Sequence, residues 1–250
     1  MIRLSVRLAT AAVGIALATT TAAAQLPTVK QVQDRYIEAL GGRKAIENQG
    51  SRHILAIVEV AAQGISAPIE IWASPPNKFY TVTNIPGLGE ITSGYDGETA
   101  WSINPAVGPT IMDGRALDQL RQQTDLLGVL HPEKYLASAS VSQELMWEGK
   151  TCYELKIKTT WGEEYTEYYD KATGLLHGTA RSQESPMGAL QATTLNTDYK
   201  AHGGVLSPSL VTVKVMGIEQ VVRTESVELG PVPDSIFALP AAIKALKKTP

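Results

Sequence analysis

The chain has 250 residues, 44% hydrophobic and 19% charged, with a formal net charge of −3. A chain of this length can bury one sizeable core, and its slightly acidic balance argues against nucleic acid, which calls for a basic face. Cys152 is the only cysteine, so no internal disulfide can form and the fold must rest on packing.

Residues 1–24 read as a secretory signal peptide. Arg3 and Arg7 form a positive start, a short Ala/Thr-rich apolar run follows, and Ala22-Ala23-Ala24 supplies small residues for cleavage before Gln25. The alternative is an N-terminal membrane anchor, for which the apolar run is short. No cysteine follows the run, so there is no lipoprotein acceptor. Cleavage would remove two arginines and take the net charge to −5. The expected product is exported, and periplasmic in a Gram-negative cell. No later segment is apolar for long enough to cross a bilayer as a helix.

The spacing predicts a helix over residues 28–40. Thr28 and Gln31 form a capping box, each side chain satisfying the other's free backbone N–H. Val29, Val32, Tyr36, Ile37 and Leu40 make one apolar stripe. Gly41-Gly42 ends it, and residues 43–48 add a short turn of helix.

The period then changes to two. Ile65, Ala67, Ile69 and Ile71 alternate with Ser66, Pro68, Glu70 and Trp72. Tyr153, Leu155 and Ile157 alternate with Glu154, Lys156 and Lys158, and Val211, Val213 and Val215 with Thr212, Lys214 and Met216. These are strands with one face toward a core. Turn signals separate them: Pro75-Pro76-Asn77, Asp96-Gly97, Glu148-Gly149-Lys150, residues 170–174 and His202-Gly203-Gly204. About ten or eleven strands are expected between Ser51 and Leu229. One interruption breaks the pattern: Ala116, Leu117, Leu120, Thr124 and Leu127 return to helical spacing. The tail over residues 241–250 is Ala/Lys-rich and expected to be flexible.

The expected fold is therefore mainly β (α+β): a strongly curved antiparallel half-barrel sheet with helices covering its concave face, in a single domain over residues 25–240. Open twisted sheets of this size curl or close. The space between an amphipathic helical cover and such a sheet is a natural apolar cavity.

The stretch "SGYDGETAWSINPAVGPTIMDG", residues 93–114, carries Asp96, Glu98 and Asp113. The acids fall where turns need them, and Asp96-Gly97 is a hairpin signal that leaves Trp101 in a strand. A carboxylate site is the weaker reading, since no histidine or metal-like spacing accompanies them.

Five segments in order resemble exported bacterial proteins of the LolA/LolB-like superfamily, outer-membrane lipoprotein-sorting and related proteins. They are "YIEALGG" at residues 36–42, "GYDGETAW" at 94–101, "YYDKATGLL" at 168–176, "DYKAHGGVLSP" at 198–208 and "DSIFALP" at 234–240. The resemblance spans nearly the whole mature chain and implies an incomplete barrel, covered by helices, whose apolar interior receives acyl chains. It also implies an arginine that holds the lid closed, a role open here between Arg43, Arg115 and Arg121. A lipid-anchored LolB-like acceptor is disfavoured by the lack of a lipidated cysteine.

Catalytic patterns are sparse. His53, His131, His177 and His202 are scattered, with no HExxH, CxxC or paired-histidine spacing, so neither a metal nor a cofactor is expected. No GxSxG elbow is present, and Gly87-x-Gly89 lacks the third glycine of a dinucleotide loop. Cys152 sits on the strand face of Glu154 and Lys156 without a visible base. Glu163, Glu164, Glu167 and Asp170, interleaved with Tyr165, Tyr168 and Tyr169, read as an exposed strand face with aromatic cross-strand pairs, or as a docking edge for a basic partner.

The leading function is a non-enzymatic carrier or sensor that binds a hydrophobic ligand, lipid or lipoprotein acyl chains, in an apolar cavity. The candidate lining is Ile69, Ile71, Leu117, Leu120, Leu155, Ile157, Val211, Val213 and Trp101, although sequence does not say which sheet face is concave. An inner- or outer-membrane protein is the expected protein partner. Two alternatives stay open: a ligand-free interaction module docking on an envelope partner, and a hydrolase with an unrecognised site.

Overall fold

The computed structural model describes residues 25–185 and 188–247. The expected signal peptide and residues 248–250 lie outside them. Two short helices, α1 (Val29–Ala39) and α2 (Arg43–Glu47), precede six strands: β1 (Arg52–Val60), β2 (Ile65–Ser74), β3 (Lys78–Ile85), β4 (Gly89–Tyr95), β5 (Ala100–Asn104) and β6 (Gly108–Met112). Helix α3 (Gly114–Thr124) and two 3-10 turns lead to β7 (Leu136–Trp147), β8 (Lys150–Thr159), β9 (Glu164–Asp170), β10 (Leu176–Ser185), β11 (Gly188–His202), β12 (Val205–Val215) and β13 (Ile218–Leu229). Helix α4 (Ala241–Lys247) closes the described chain.

The thirteen strands of the described residues form one antiparallel sheet in the order β6-β5-β4-β3-β2-β1-β13-β12-β11-β10-β9-β8-β7. Two meanders thus join where β1 pairs with β13, and α3 connects the two edge strands. The count exceeds the expected ten or eleven because short strands carry too few alternations to register. Strand β6, for example, starts on Gly108-Pro109, residues that read as a turn.

The contacts of α3 require the sheet to curl. Arg121 Nε lies 3.2 Å from Tyr95 Oη on β4, and Gln122 Nε2 lies 3.0 Å from Tyr165 Oη on β9. These strands are eight steps apart in the sheet, about 38 Å if it were flat at ~4.8 Å per step. Adjacent side chains on one helix cannot span that distance, so the two halves bend around α3.

Helix α1 forms as its sequence dictates, with both capping-box hydrogen bonds present between Thr28 and Gln31. Val32 packs with Leu155, Ile157, Tyr165 and Tyr169, while Ile37 and Leu40 pack with Ile46, Leu130 and Val205. The end of α1 is pinned to the sheet by a hydrogen bond from Leu206 N to Leu40 O, 2.8 Å. Gly41, at φ 120°, sits where a Cβ would fall 2.1 Å from Gly204 O, so only glycine allows this approach.

The tail expected to be flexible is instead ordered over residues 241–247. Ile243 of α4 is fully buried, the helix packs against β6, and Lys247 Nζ lies 2.9 Å from Thr99 Oγ1.

Candidate functional site

Strand pairing assigns each candidate in the sheet to a face, because directly opposed residues point the same way. Tyr95 and Tyr165 both touch α3, which marks their side as the concave one. From Tyr95 the register runs through Phe79 and Ala73, and along β2 by steps of two to Ile71 and Ile69. From Tyr165 it passes to Ile157 on β8 and then by a step of two to Leu155. Glu167 opposes Thr179, Thr179 opposes Thr194, and Thr194 opposes Val213, with Val211 two residues away. Ile69, Ile71, Leu155, Ile157, Val211 and Val213 therefore share the concave face.

They do not share one environment. Leu155 and Ile157 are fully buried beneath α1 and fill core. Ile69, Ile71, Val211 and Val213 are only half-buried, on the part of the sheet between the two ends that α3 joins. Trp101 lies on the other face. It opposes Gly94, which opposes Tyr80 and then Trp72 and His53, forming an aromatic row on the convex side. Trp101 is 1% exposed, seated where Gly94 has no Cβ to obstruct its ring. Its assignment to the concave cavity is thus corrected: strand parity places a residue six positions after Tyr95 and across a turn on the opposite surface.

Helix α3 is held mainly by polar contacts. Its buried residues are Gln119 and Thr124, whereas Leu117 and Leu120 are half-buried. Gln119 Nε2 donates to Glu163 Oε1 and Ser182 O, both 2.9 Å, and Gln122 to Tyr165. At 100° per residue, Leu117, Leu120 and Arg121 lie on the side of the helix away from Gln119 and Gln122. Arg121, one of the three arginines left open for the lid, joins α3 to the opposite wall through Tyr95. Arg43 pairs with Glu47 within α2. Arg181 of β10, which the sequence did not single out, also reaches α3: its Nη2 is 3.3 Å from Gln122 Oε1.

Beside α3 lies a cavity of about 340 Å³ whose lining mixes apolar surface with phenols and charged groups. It includes Tyr36, Tyr135, Tyr165, Glu167, Tyr169 and Arg181. Tyr169 Oη donates to Glu167 Oε2 at 2.8 Å and Tyr165 Oη lies 3.3 Å from Glu167 Oε1. Arg181 makes a two-point ion pair with Glu163, Nε to Oε1 3.1 Å and Nη2 to Oε2 2.9 Å, and covers the Tyr165 ring. Burial raises the Glu167 carboxyl above its usual range, and the hydrogen bonds from Tyr169 and Tyr165 and the charge of Arg181 offset this only in part. Burial and the charge of Glu167 likewise push the Tyr36 and Tyr165 phenols up.

The acidic run is exposed only in part. Glu164 faces solvent, whereas Glu163 and Asp170 are buried, and Asp170 pairs with Lys150 at 2.7 Å. Glu163, Tyr165, Glu167 and Tyr169 are spaced by two, so acids and phenols share a face. That parity was the available signal, and composition obscured it.

The other catalytic candidates take structural places. Burial pushes the Cys152 thiol up to about 11, which disfavours a thiolate. His177 is buried edge-on to Trp147, with Nε2 3.2 Å from Glu148 O. Asp96 Oδ1 accepts from the N–H groups of Glu98 and Thr99, at 2.8 and 2.7 Å, which is turn chemistry. Among the described residues, no group of three or more His, Cys, Asp or Glu could hold a metal ion, and no helix is long and apolar enough to cross a membrane.

An open antiparallel sheet curled around an internal helix defines a class of fold. No family model matches the chain, and no curated protein matches it. Solved structures do. A DUF1329 family protein from Desulfovibrio piger is 12% identical, covers 86% of this chain and 98% of its own, and superposes with a TM-score of 0.58. A LolA superfamily protein from Nitrosomonas europaea is 13% identical over 86% of this chain and 99% of its own, TM-score 0.55. A protein from Vibrio parahaemolyticus, described as a domain of an outer-membrane lipoprotein-sorting protein, is 13% identical over 82% and 97%, TM-score 0.52. The chain has the LolA-like fold.

Proposed function

We infer that the chain is an exported, periplasmic carrier or sensor for a hydrophobic ligand, lipid or lipoprotein acyl chains, held between α3 and the concave face. The observation that carries the reading is the mismatch at α3. The helix is tethered at both walls by hydrogen bonds, while the floor residues Ile69, Ile71, Val211 and Val213 remain half-buried. A helix that merely completed a core would bury its leucines and leave its glutamines outside.

The driving force is transfer from water. Each buried methylene contributes about 0.8 kcal/mol, so a chain of ~15 methylenes represents roughly 12 kcal/mol. No catalytic group is needed for uptake, and release calls for a lid movement or a membrane-protein partner. The LolA-like fold and the secretory character of residues 1–24 support the same reading. The test is titration with a fluorescent acyl-chain probe. Saturable binding that Ile71→Glu and Val213→Glu abolish, in variants that keep their fold by circular dichroism, supports the carrier. An unliganded wild type that ignores the probe supports an interaction module instead.

A further inference from the structure

Glu167 presents a charge without a matching cation. Its hydrogen-bond partners are two phenols, and no lysine or arginine among the described residues forms an ion pair with it. The neighbouring guanidinium of Arg181 is engaged by Glu163, the pair being 13% and 2% exposed. Asp125, on the same cavity, accepts from Tyr135 Oη at 2.7 Å and faces Lys134 at 3.4 Å. The unmatched charge therefore belongs to Glu167, which is half-buried and keeps surface open to the cavity. A carboxylate drawn partly out of water without a counter-charge carries a cost, and here the space beside it is walled by four tyrosines.

We propose that this cavity is a binding site for a primary alkylammonium group, the cation resting against Glu167 and the rings of Tyr36 and Tyr169, on the side of the cavity away from Arg181. A carboxylate and aromatic faces together are the combination that an organic cation recognises. The Tyr36 and Tyr169 rings meet edge to face at 5.3 Å, which fixes one wall. Leu136, Leu176, Val129 and Pro132 are the aliphatic part of the lining, so an alkyl stem attached to the cation has apolar surface to follow. The volume of about 340 Å³ is at the small end of ligand pockets, suited to a headgroup rather than a whole lipid. The cation could belong to an amine-bearing lipid headgroup or to a free small amine. The first source rests on the carrier reading above; the ammonium site itself does not.

The experiment compares dodecylamine, its neutral counterpart dodecanol, and ethanolamine at pH 7 by calorimetry, on the wild type, Glu167→Gln and Tyr36→Leu, which removes an aromatic face. Dodecylamine is expected to bind about tenfold or more tightly than dodecanol, with Glu167→Gln erasing the difference and Tyr36→Leu reducing it. Equal affinity of the two twelve-carbon compounds, or a preference that survives Glu167→Gln, overturns the proposal. If neither compound binds, the carrier reading fails, and ethanolamine decides the site by itself. Saturable ethanolamine binding that Glu167→Gln removes upholds the ammonium site, and its absence overturns it. If Glu167→Gln does not fold, an amine preference that Tyr36→Leu leaves unchanged counts as refutation.

Discussion

Arg121 and Tyr95 meet across the open side of the sheet: the guanidinium Nε donates to the phenol oxygen at 3.2 Å, and that phenol donates in turn to Gly97 O at 2.8 Å. The pair joins α3 to the β4 wall, while Gln119 and Gln122 join it to β9 and β10. A lid held by a few hydrogen bonds at each side can open one side at a time. A lid sealed by buried leucines would instead have to expose all of its apolar surface at once.

Arg121→Ala should therefore loosen α3 without unfolding the protein. One hydrogen bond to a charged, half-exposed group is worth about 1 kcal/mol. Amide hydrogen exchange over residues 114–124 is expected to quicken about fivefold, with exchange in β8 and β9 unchanged. Uniform quickening across the sheet would mean that the contact is structural, not a latch.

The Glu163–Arg181 pair should behave as a buried ion pair. Arg181→Ala strands Glu163 and is expected to cost about 3–5 kcal/mol in urea denaturation. The double substitution Glu163→Gln with Arg181→Met should recover much of that loss, because the cost comes from the uncompensated charge. Non-recovery would assign the stability to the stacking of Arg181 on Tyr165.

Glu167 should act on stability with the opposite sign to the ordinary acidic residue. Its carboxyl is raised above its usual 4.5 in the folded chain, chiefly by burial. The unfolded chain therefore ionises first as pH rises, and the folded state loses relative stability from about pH 4.5 up to the folded pKa. Tyr36, Tyr165, Tyr169 and Arg181 face this group from α1, β9 and β10. Glu167→Gln should match the wild type in acid and become the more stable of the two as pH rises. Asp170 runs the other way. Burial raises its carboxyl, but hydrogen bonds from Lys150, Ala172 and Thr173 outweigh this and hold it below 3.8. The stability it contributes is present above that pH and is lost as pH falls through its folded value.

Gly94→Ala should destabilise the sheet and perturb tryptophan emission. A Cβ there would lie 2.7–3.0 Å from three atoms of the Trp101 indole, and overpacking of this kind costs about 1–3 kcal/mol. An unchanged emission spectrum and melting midpoint would show that the Trp101 ring has room to shift.

How much of this was legible beforehand depended on how local the cause was. The capping box at Thr28 and Gln31, the stop at Gly41 and the alternation of Ile69 with Ile71 each act within a few residues, and all could be read directly. Which face of the sheet is concave could not, because only the contacts of α3 with Tyr95 and Tyr165, on strands far apart in the chain, decide it. The Glu167 cavity was hidden for the same reason. Its period-two pattern with Tyr165 and Tyr169 was visible, but the helices that bury that face come from residues 29–39 and 114–124. Trp101 was misplaced because the loop of residues 96–99 separates it from Tyr95, and an alternating pattern does not carry parity reliably across a turn.

Native mass spectrometry of the protein taken gently from its native host tests the carrier most directly. The expected spectrum shows the folded chain with an added mass that collisional activation releases as an acyl-bearing lipid, and Ile71→Glu lacks that added mass. A spectrum of the bare chain alone, from protein that also fails to take up an offered acyl lipid, would contradict the account.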